Sequence, residues 1–237
     1  MTLRRLWVET LPLADAVVQL DTREQHHAIS VLRLKSETVV EAIDGSGSAV
    51  EARLIVEKKK VFLKSHHKTP TRTESPDALV PLVLGLSWIK PDAMSWAVEK
   101  LCELGLRTLV PIFSDHAAIK KDSPEEKRVR DRLQTVADQS LKQSGRLTRL
   151  EILKTRHLDD FQREYSPLTF SERPGAPRLT LAAGERPRAV LIGPEGGWSD
   201  REASSFEAVA SLGPLVLRAE TAAVVALALL GQKLSFR

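Results

Sequence analysis

From residue 80 onward, short apolar runs alternate with amphipathic stretches that begin at helix caps. No other feature of the chain restricts its fold as much. VPLVLGLSW (80–88), RTLVPIF (107–113), RAVLIG (188–193) and LVLRAE (215–220) read as strands. VPLVLGLSW is continuously apolar, as a strand buried on both faces must be. Between them lie helical stretches. AMSWAVEKLCEL is capped by Asp92 and ended by Gly105. EEKRVRDRLQTVADQSLKQS follows Ser123, Pro124 and Glu126, a capping box with a first-turn proline, and runs to Gly145. LEIL, a short helix near HLDDFQREY, and SPLTF come next. Ser199 and Glu202 form a second capping box ahead of EASSFEAVA, and TAAVVALALLGQKL is the last helix. Strands alternating with helices predict an α/β fold with a mostly parallel sheet. No internal repeat or low-complexity tract interrupts it.

The first 72 residues follow a different period. TVVEAI and AVEARLIV flank DGSGS, whose Asp44-Gly45 is a hairpin signal, and KKVFLKSHHK supplies a third strand. Before them, HHAISVLRL reads as a short helix or turn. Strands this short and this closely spaced predict a small barrel. TPTRTESPD, polar and with two prolines, reads as the boundary. The expected division is therefore 1–72 and 78–237.

Composition sets outer limits. At 237 residues the chain is long enough for one or two domains with real cores, and its net charge of +4 leans mildly toward nucleic acid. The single cysteine, Cys102, excludes an intrachain disulfide framework or a cysteine-based zinc site and fits a reduced, cytoplasmic setting. MTLRRLWVETLP lacks the apolar core of a signal peptide, and AAVVALALLG falls far short of the ~20 residues that span a bilayer, so a soluble protein is expected. The last helix is apolar nearly all round. It must be buried on most faces, either as a central core helix or shared with a dimer interface.

LIGPEGGWSD (191–200) places three glycines and a carboxylate between a strand and a helix start. It is not a phosphate-binding P-loop, since no lysine follows the glycines. Gly193, Gly196 and Gly197 lack the dinucleotide spacing, and Ser199 lacks the flanking glycine of a nucleophile elbow. What remains is either a tight turn before a capped helix or a loop whose bare main chain meets a ligand at a strand's carboxyl end. GPLVLRAETAA also runs strand, loop, helix, and it puts Arg218 and Glu220 at the strand's end. The two loops together would make a pocket.

His26-His27 and His66-His67 are adjacent pairs without a nearby carboxylate at ligand spacing, so no metal site is expected. Basic residues gather at Arg4-Arg5, Arg33–Lys35, Lys58–Lys60 and Lys64. Each group alone is a solvated face. Together, on a small barrel, they could follow a phosphate backbone.

LIGPEGG and the later LRAET together resemble the signature of the bacterial 16S ribosomal RNA (uracil-N3) methyltransferases, the RsmE family of the SPOUT superfamily. The resemblance covers almost the whole chain. Arg5–Trp7 is similar to the family's opening segment, and His27, Val31, Leu32 and Arg33 to its next stretch. IDGSG is similar to its hairpin. Lys90, Lys100, Glu103, Leu104, Gly105 and Pro111 keep step with its first helix and following strand, as do Gln143, Gly145 and Arg146 in KQSGR. The resemblance implies a PUA-like barrel followed by a trefoil-knotted methyltransferase domain, a homodimer, and S-adenosylmethionine as cofactor. It implies that Leu191, Ile192, Gly193, Gly196, Gly197, Leu212, Gly213, Leu217 and Thr221 hold that cofactor. RNA of the small subunit would meet Arg5, His27, Arg33, Lys35, Lys90 and Arg146.

Uracil N3 carries a proton and is a poor nucleophile until that proton leaves, so the site needs alignment, a proton acceptor and stabilisation of charge on the flanking carbonyl oxygens. Arg218 is the candidate for the stabilising cation. Glu195 or Glu220 is the candidate for the acceptor, or for ordering Arg218. The chain departs from the family pattern at Ala93, Ser95, Ser114–His116, Lys142, Leu215 and Ala219. Several of these fall at charged positions expected to face RNA. Three other readings stay open: the same chemistry at another RNA site, an RNA-binding assembly protein without catalysis, and a nucleotide hydrolase, against which the missing P-loop lysine argues.

Overall fold

Alternation at period two dominates the first segment of the computed structural model, in which residues 3–58, 60–75, 78–173, 175–180 and 187–231 are described. The chain divides into two compact units. The first comprises Met1–Ala78 with Leu141–Arg149, and the second Leu79–Ser140 with Leu150–Arg237.

In the first unit, β1 (Arg5–Trp7), β2 (Val17–Gln19), β3 (Val39–Ile43), β4 (Ser48–Glu57), β5 (Lys60–Lys64) and β6 (Arg72–Thr73) form one curled sheet in the order β1-β3-β4-β5-β2, with β6 on β4. Along β4, Val50, Ala52 and Leu54 turn inward while Glu51 and Arg53 face water. Leu6, Val40, Ala42 and Leu63 close on the same core. Each fully buried valine or leucine side chain there contributes about 1.5–3 kcal/mol. The β3–β4 turn is fixed by Asp44, whose carboxylate accepts the Ser46 N–H at 2.9 Å. A short helix α1 (Thr22–His26) is capped by Asp21, which accepts the Glu24 N–H at 2.7 Å, and continues into one π-helical turn, His27–Val31. The helix or turn expected at HHAISVLRL is thus present. Lys59, in one of the expected basic groups, lies outside the described residues.

The expected boundary TPTRTESPD is structured up to Ser75; Pro76 and Asp77 lie outside the described residues. Arg72–Thr73 pair with Ser48–Ala49. The Arg72 guanidinium donates to both oxygens of Glu41 at 2.7 and 2.8 Å. A carboxylate as deep as Glu41, with its side chain 11% exposed, requires such partners, and this draws the stretch into the sheet.

The second unit carries β7 (Val80–Ser87), β8 (Leu106–Phe113), β9 (Glu151–Ile152), β10 (Arg156–His157), β11 (Leu168–Phe170), β12 (Ala189–Ile192) and β13 (Ala208–Ala210). They form a parallel sheet in the order β10-β8-β7-β12-β11-β13, with β9 on β8. All four residues of β12 are buried. The helices are α2 (Pro91–Glu103), α3 (Pro124–Ser144, whose residues 141–144 belong to the first unit), α4 (Leu158–Tyr165), α5 (Asp200–Ala203) and α6 (Ala219–Gly231). In α2, Met94, Ala97, Val98, Leu101 and Cys102 make the buried stripe, at helical spacing. Its cap differs from expectation: Lys90 is the N-cap, Pro91 opens the first turn, and Asp92 lies inside that turn. Gly105, at φ +82°, follows the helix as expected.

Two expectations near the carboxyl end are corrected. The helix behind Ser199 stops at Ala203, because the Ser204 and Ser205 hydroxyls donate back to the carbonyls of Asp200 and Glu202 at 2.8 and 2.7 Å. Ala208–Ala210 then pairs with Leu168–Phe170 and becomes the last strand. LVLRAE is not a strand. Gly213 and Pro214 break the sheet before it, and Leu215 and Val216 stand 79% and 75% exposed. The apolar helix α6 buries one stripe, Ala219, Ala223, Ala226, Leu227 and Leu230, and Leu229 is exposed. Its expected continuation, 232–234, lies outside the described residues. Among the described residues no helix is long and apolar enough to cross a membrane, and no group of three or more His, Cys, Asp or Glu could hold a metal ion.

Candidate active site

The strand order explains where a ligand can enter. Phe170 pairs with Ile192 on one side and Ala210 on the other, so β12, β11 and β13 release their following loops side by side. Ser171 and Glu172 leave β11, Gly193–Glu195 leave β12, and the loop after β13 returns through Leu212 and Leu215–Arg218. With Ala219 and Ala222 of α6 these segments line a cleft of about 250 Å³. Carboxyl ends of parallel strands are where open α/β sheets bind ligands.

The β12 loop is held from several directions. Gly197 N–H donates to Pro194 O at 2.9 Å, closing a turn around Glu195 and Gly196. The buried Trp198 folds beneath it, donating from Nε1 to Phe170 O at 3.1 Å. A Cβ on Gly193 would stand 2.9 Å from that indole. Ser199 and Glu202 form the expected capping box of α5. Glu202 is fully buried and also accepts the Asp115 N–H at 2.8 Å. Asp115 in turn receives the Ser199 hydroxyl at 2.6 Å and Arg201 at 2.8 Å. Hydrogen bonds from Arg201 and Ser199 hold the Asp115 carboxyl below its ordinary pKa. His116 Nδ1 lies 3.0 Å from Gly197 O. The loop after β8 therefore braces the loop after β12.

Of the residues singled out in the sequence, Ile192, Gly193, Glu195, Leu212, Leu217 and Arg218 line the cleft. Leu191 is buried in β12, and Gly196 and Gly197 sit in the turn, against His116 and Glu172. Gly213 belongs to the third loop, while Glu220 and Thr221 lie in the first turn of α6. Neither Glu220 nor Thr221 lines the cleft. Glu195 accepts the Lys90 N–H at 3.0 Å, at the N-terminus of α2. Arg218 is exposed, and among the described residues neither it nor Glu220 forms an ion pair, so the expected ordering of Arg218 by either glutamate is not observed. Ser171, Glu172 and Ser211 were not foreseen. SPLTF reads as a strand, but only the strand order shows that its end opens beside Gly193.

In the first unit, Arg5 is committed: its Nε donates to Glu41 at 2.8 Å and its Nη1 to Lys142 O at 2.7 Å. Arg146 is buried and donates to Thr148 O. His27 is partly buried, and burial followed by the nearby Lys142 charge lowers its pKa. Arg33 and Lys35 are exposed, as is Lys90 in the second unit.

Residues 75–231 match the model of an RNA methyltransferase domain, and residues 20–64 that of an RNA methyltransferase PUA domain. The chain belongs to the RNA methyltransferase family. Among its relatives, the ribosomal RNA small subunit methyltransferase E of Synechocystis is 27% identical, covering 94% of this chain and 76% of that protein. The Bacillus subtilis protein of the same name is 24% identical, over 86% and 85%. Among solved structures, a Neisseria gonorrhoeae ribosomal RNA small subunit methyltransferase E bound to S-adenosyl methionine is 26% identical. It covers 96% of each chain with a TM-score of 0.84. A Legionella pneumophila structure shares the fold at a TM-score of 0.86 and 24% identity, over 97% of each chain. This RNA methyltransferase thus has the SPOUT-type architecture, a mostly parallel sheet preceded by a PUA-like curled sheet.

Proposed function

We propose that this RNA methyltransferase uses S-adenosylmethionine to methylate N3 of one uridine in 16S ribosomal RNA, as a cytoplasmic, knotted homodimer. The carrying observation is the cleft at the ends of β11 and β12, in a chain similar along nearly its whole length to relatives named for the small ribosomal subunit. The residues present suit the cofactor. Leu212, Leu217, Ala219 and Ala222 offer an apolar wall to the adenine, and Ser171 and Ser211 offer hydroxyls. Glu172 and Glu195 offer negative charge to a cationic ligand. Bound there, S-adenosylmethionine supplies an electrophilic methyl group on a cationic sulfur.

The chain's part is to orient the base and handle its proton. Arg218, exposed at the cleft, is the cation that stabilises charge developing on the uracil carbonyl oxygens. Glu195, already fixed by the Lys90 N–H, is the better placed of the two candidate proton acceptors, since Glu220 does not line the cleft. Dimerisation is supported by exposed apolar side chains in the second unit: Trp96 and Leu229, each 44% exposed, and Leu215 and Val216.

The test is methyl transfer from labelled S-adenosylmethionine to small subunits lacking uracil-N3 methylation, with protein-free 16S RNA in parallel. Label at a single uridine N3 is expected, and Arg218→Ala should lower kcat by about a hundredfold or more. Cofactor binding without label would favour the non-catalytic assembly reading. A sedimentation run giving a monomer at micromolar concentration would remove the dimer.

A further inference from the structure

Three neighbouring depressions meet around Phe113 at the carboxyl ends of β8 and β10. Lys120, Lys121, Lys127 and Lys154 stand exposed along them. Most carboxylates of this surface are already answered within the protein. Glu126 accepts the Thr155 hydroxyl at 2.7 Å and faces Arg130 at 3.6 Å. Asp160 is paired with Arg163, Glu164 with Arg156, and Asp115 with Arg201. Among the described residues Lys120, Lys127 and Lys154 have no ion pair. Lys121 has only Asp122, at 4.0 Å and 83% exposed, and donates to His157 Nε2 at 2.8 Å. An ammonium resting on an imidazole holds a weak acceptor, and a phosphate oxygen offers it a full charge instead. The rings of Phe113 and His157 lie 6.0 Å apart and form the aromatic part of the same surface.

We propose that this groove binds the sugar-phosphate backbone of the RNA flanking the nucleotide in the cleft. The proposal rests on the reading of that cleft as the site of methyl transfer. Two observations join the surfaces. β8 and β12 are separated only by β7, so the two strand ends stand two spacings apart, about 10 Å. The loop that leaves Phe113 contacts the β12 loop directly, through His116 and Gly197. An RNA strand on the lysines therefore reaches the cleft within a short run of nucleotides. Exposed lysines beside aromatic rings are the combination that holds single-stranded RNA, charge for the phosphates and π-faces for the bases. An acidic peptide would satisfy the lysines but leave the rings unused.

The experiment is fluorescence anisotropy of a labelled 16S RNA transcript and a labelled oligouridylate across a salt series. It uses full-length wild type, Lys154→Ala, and the double variant Lys121→Ala with Lys154→Ala. Calorimetry with S-adenosylmethionine monitors the fold. The double variant should bind RNA at least about tenfold more weakly. Each lysine removed should make the plot of log affinity against log salt shallower by about 0.7. Cofactor affinity should not change. RNA affinity and slope equal to wild type in both variants would overturn the proposal, as would displacement of RNA by polyglutamate but not by unlabelled oligouridylate. The two readings fail differently. Wild type that transfers no methyl while the variants still lose RNA affinity would remove the reading of the cleft. Efficient transfer with unaltered slopes would remove only the groove.

Discussion

Each glycine of the β12 loop is small for the sake of a different neighbour. Gly193 admits the Trp198 indole, Gly196 the His116 side chain, and Gly197 the Glu172 carboxylate, whose Oε1 would lie 2.7 Å from an added Cβ. Gly197 also takes a φ of +69°, which other residues adopt only under strain. The space at Gly197 lets Glu172 stand at the cleft wall, where Glu195 is already held by the Lys90 N–H. Of the two cleft carboxylates proposed to face the cationic cofactor, Glu172 is the one without a hydrogen bond among the described residues. Glu172→Gln should weaken S-adenosylmethionine binding about tenfold, roughly 1.4 kcal/mol, and weaken binding of its uncharged thioether product much less. Calorimetry with both ligands checks this, and equal affinities for wild type and variant would exclude the role. LIGPEGG was legible as an unusually bare loop because glycine spacing is written in the chain. Glu172 was not, because its place depends on β11 lying beside β12, a long-range pairing that no local pattern encodes.

Among the elements, β3 carries the clearest electrostatic clamp. Burial raises the pKa of Glu41, but hydrogen bonds from Arg72 and Arg5 outweigh it and leave the carboxyl below its ordinary value of 4.5. A depressed native pKa means that the unfolded chain takes up the proton first. The clamp's stabilisation is therefore complete above the ordinary glutamate range and is lost as pH falls through the lower, native value. Wild type should lose thermal stability on acidification below about 4.5, whereas Glu41→Gln should melt lower at neutral pH and vary less across that window. Unfolding followed by circular dichroism at stepped pH measures both, and parallel profiles would exclude the clamp as the cause. The sequence showed β3 and β4 plainly, through their alternation and the Asp44-Gly45 turn. At TPTRTESPD, just beyond which the first unit's opening segment ends, prolines and polarity conceal that Arg72 answers a buried charge 31 positions away. LVLRAE misled in the opposite sense. Its apolar residues suggest a strand, yet they are displayed at the cleft, and the edge strand falls to the small residues Ala208–Ala210.

Taken whole, the chain divides just after the polar stretch TPTRTESPD, between Ala78 and Leu79, but not there alone. The first unit includes Leu141–Arg149. Arg5 donates to Lys142 O and Arg72 to Gly145 O, and Glu74 accepts the N–H of Leu147 at 2.7 Å and that of Thr148. A fragment ending at residue 78 lacks these partners and leaves buried polar groups unsatisfied. It should melt several degrees below the same fragment joined through a flexible linker to 141–149. Equal melting temperatures would show the segment to be dispensable. The KQSGR motif was visible in the sequence, but which unit it completes was not, since nothing local links it to Arg5. The same arrangement has a consequence for synthesis. A ribosome delivers Arg5 137 residues before its carbonyl partner at Lys142, and during that interval the Arg5 side chain has only part of its native company. The N-terminal sheet is made first but is completed late, after the helix α3 has emerged, so its final closure waits on the translation of residues 79–149, the first part of the second unit and the segment behind it.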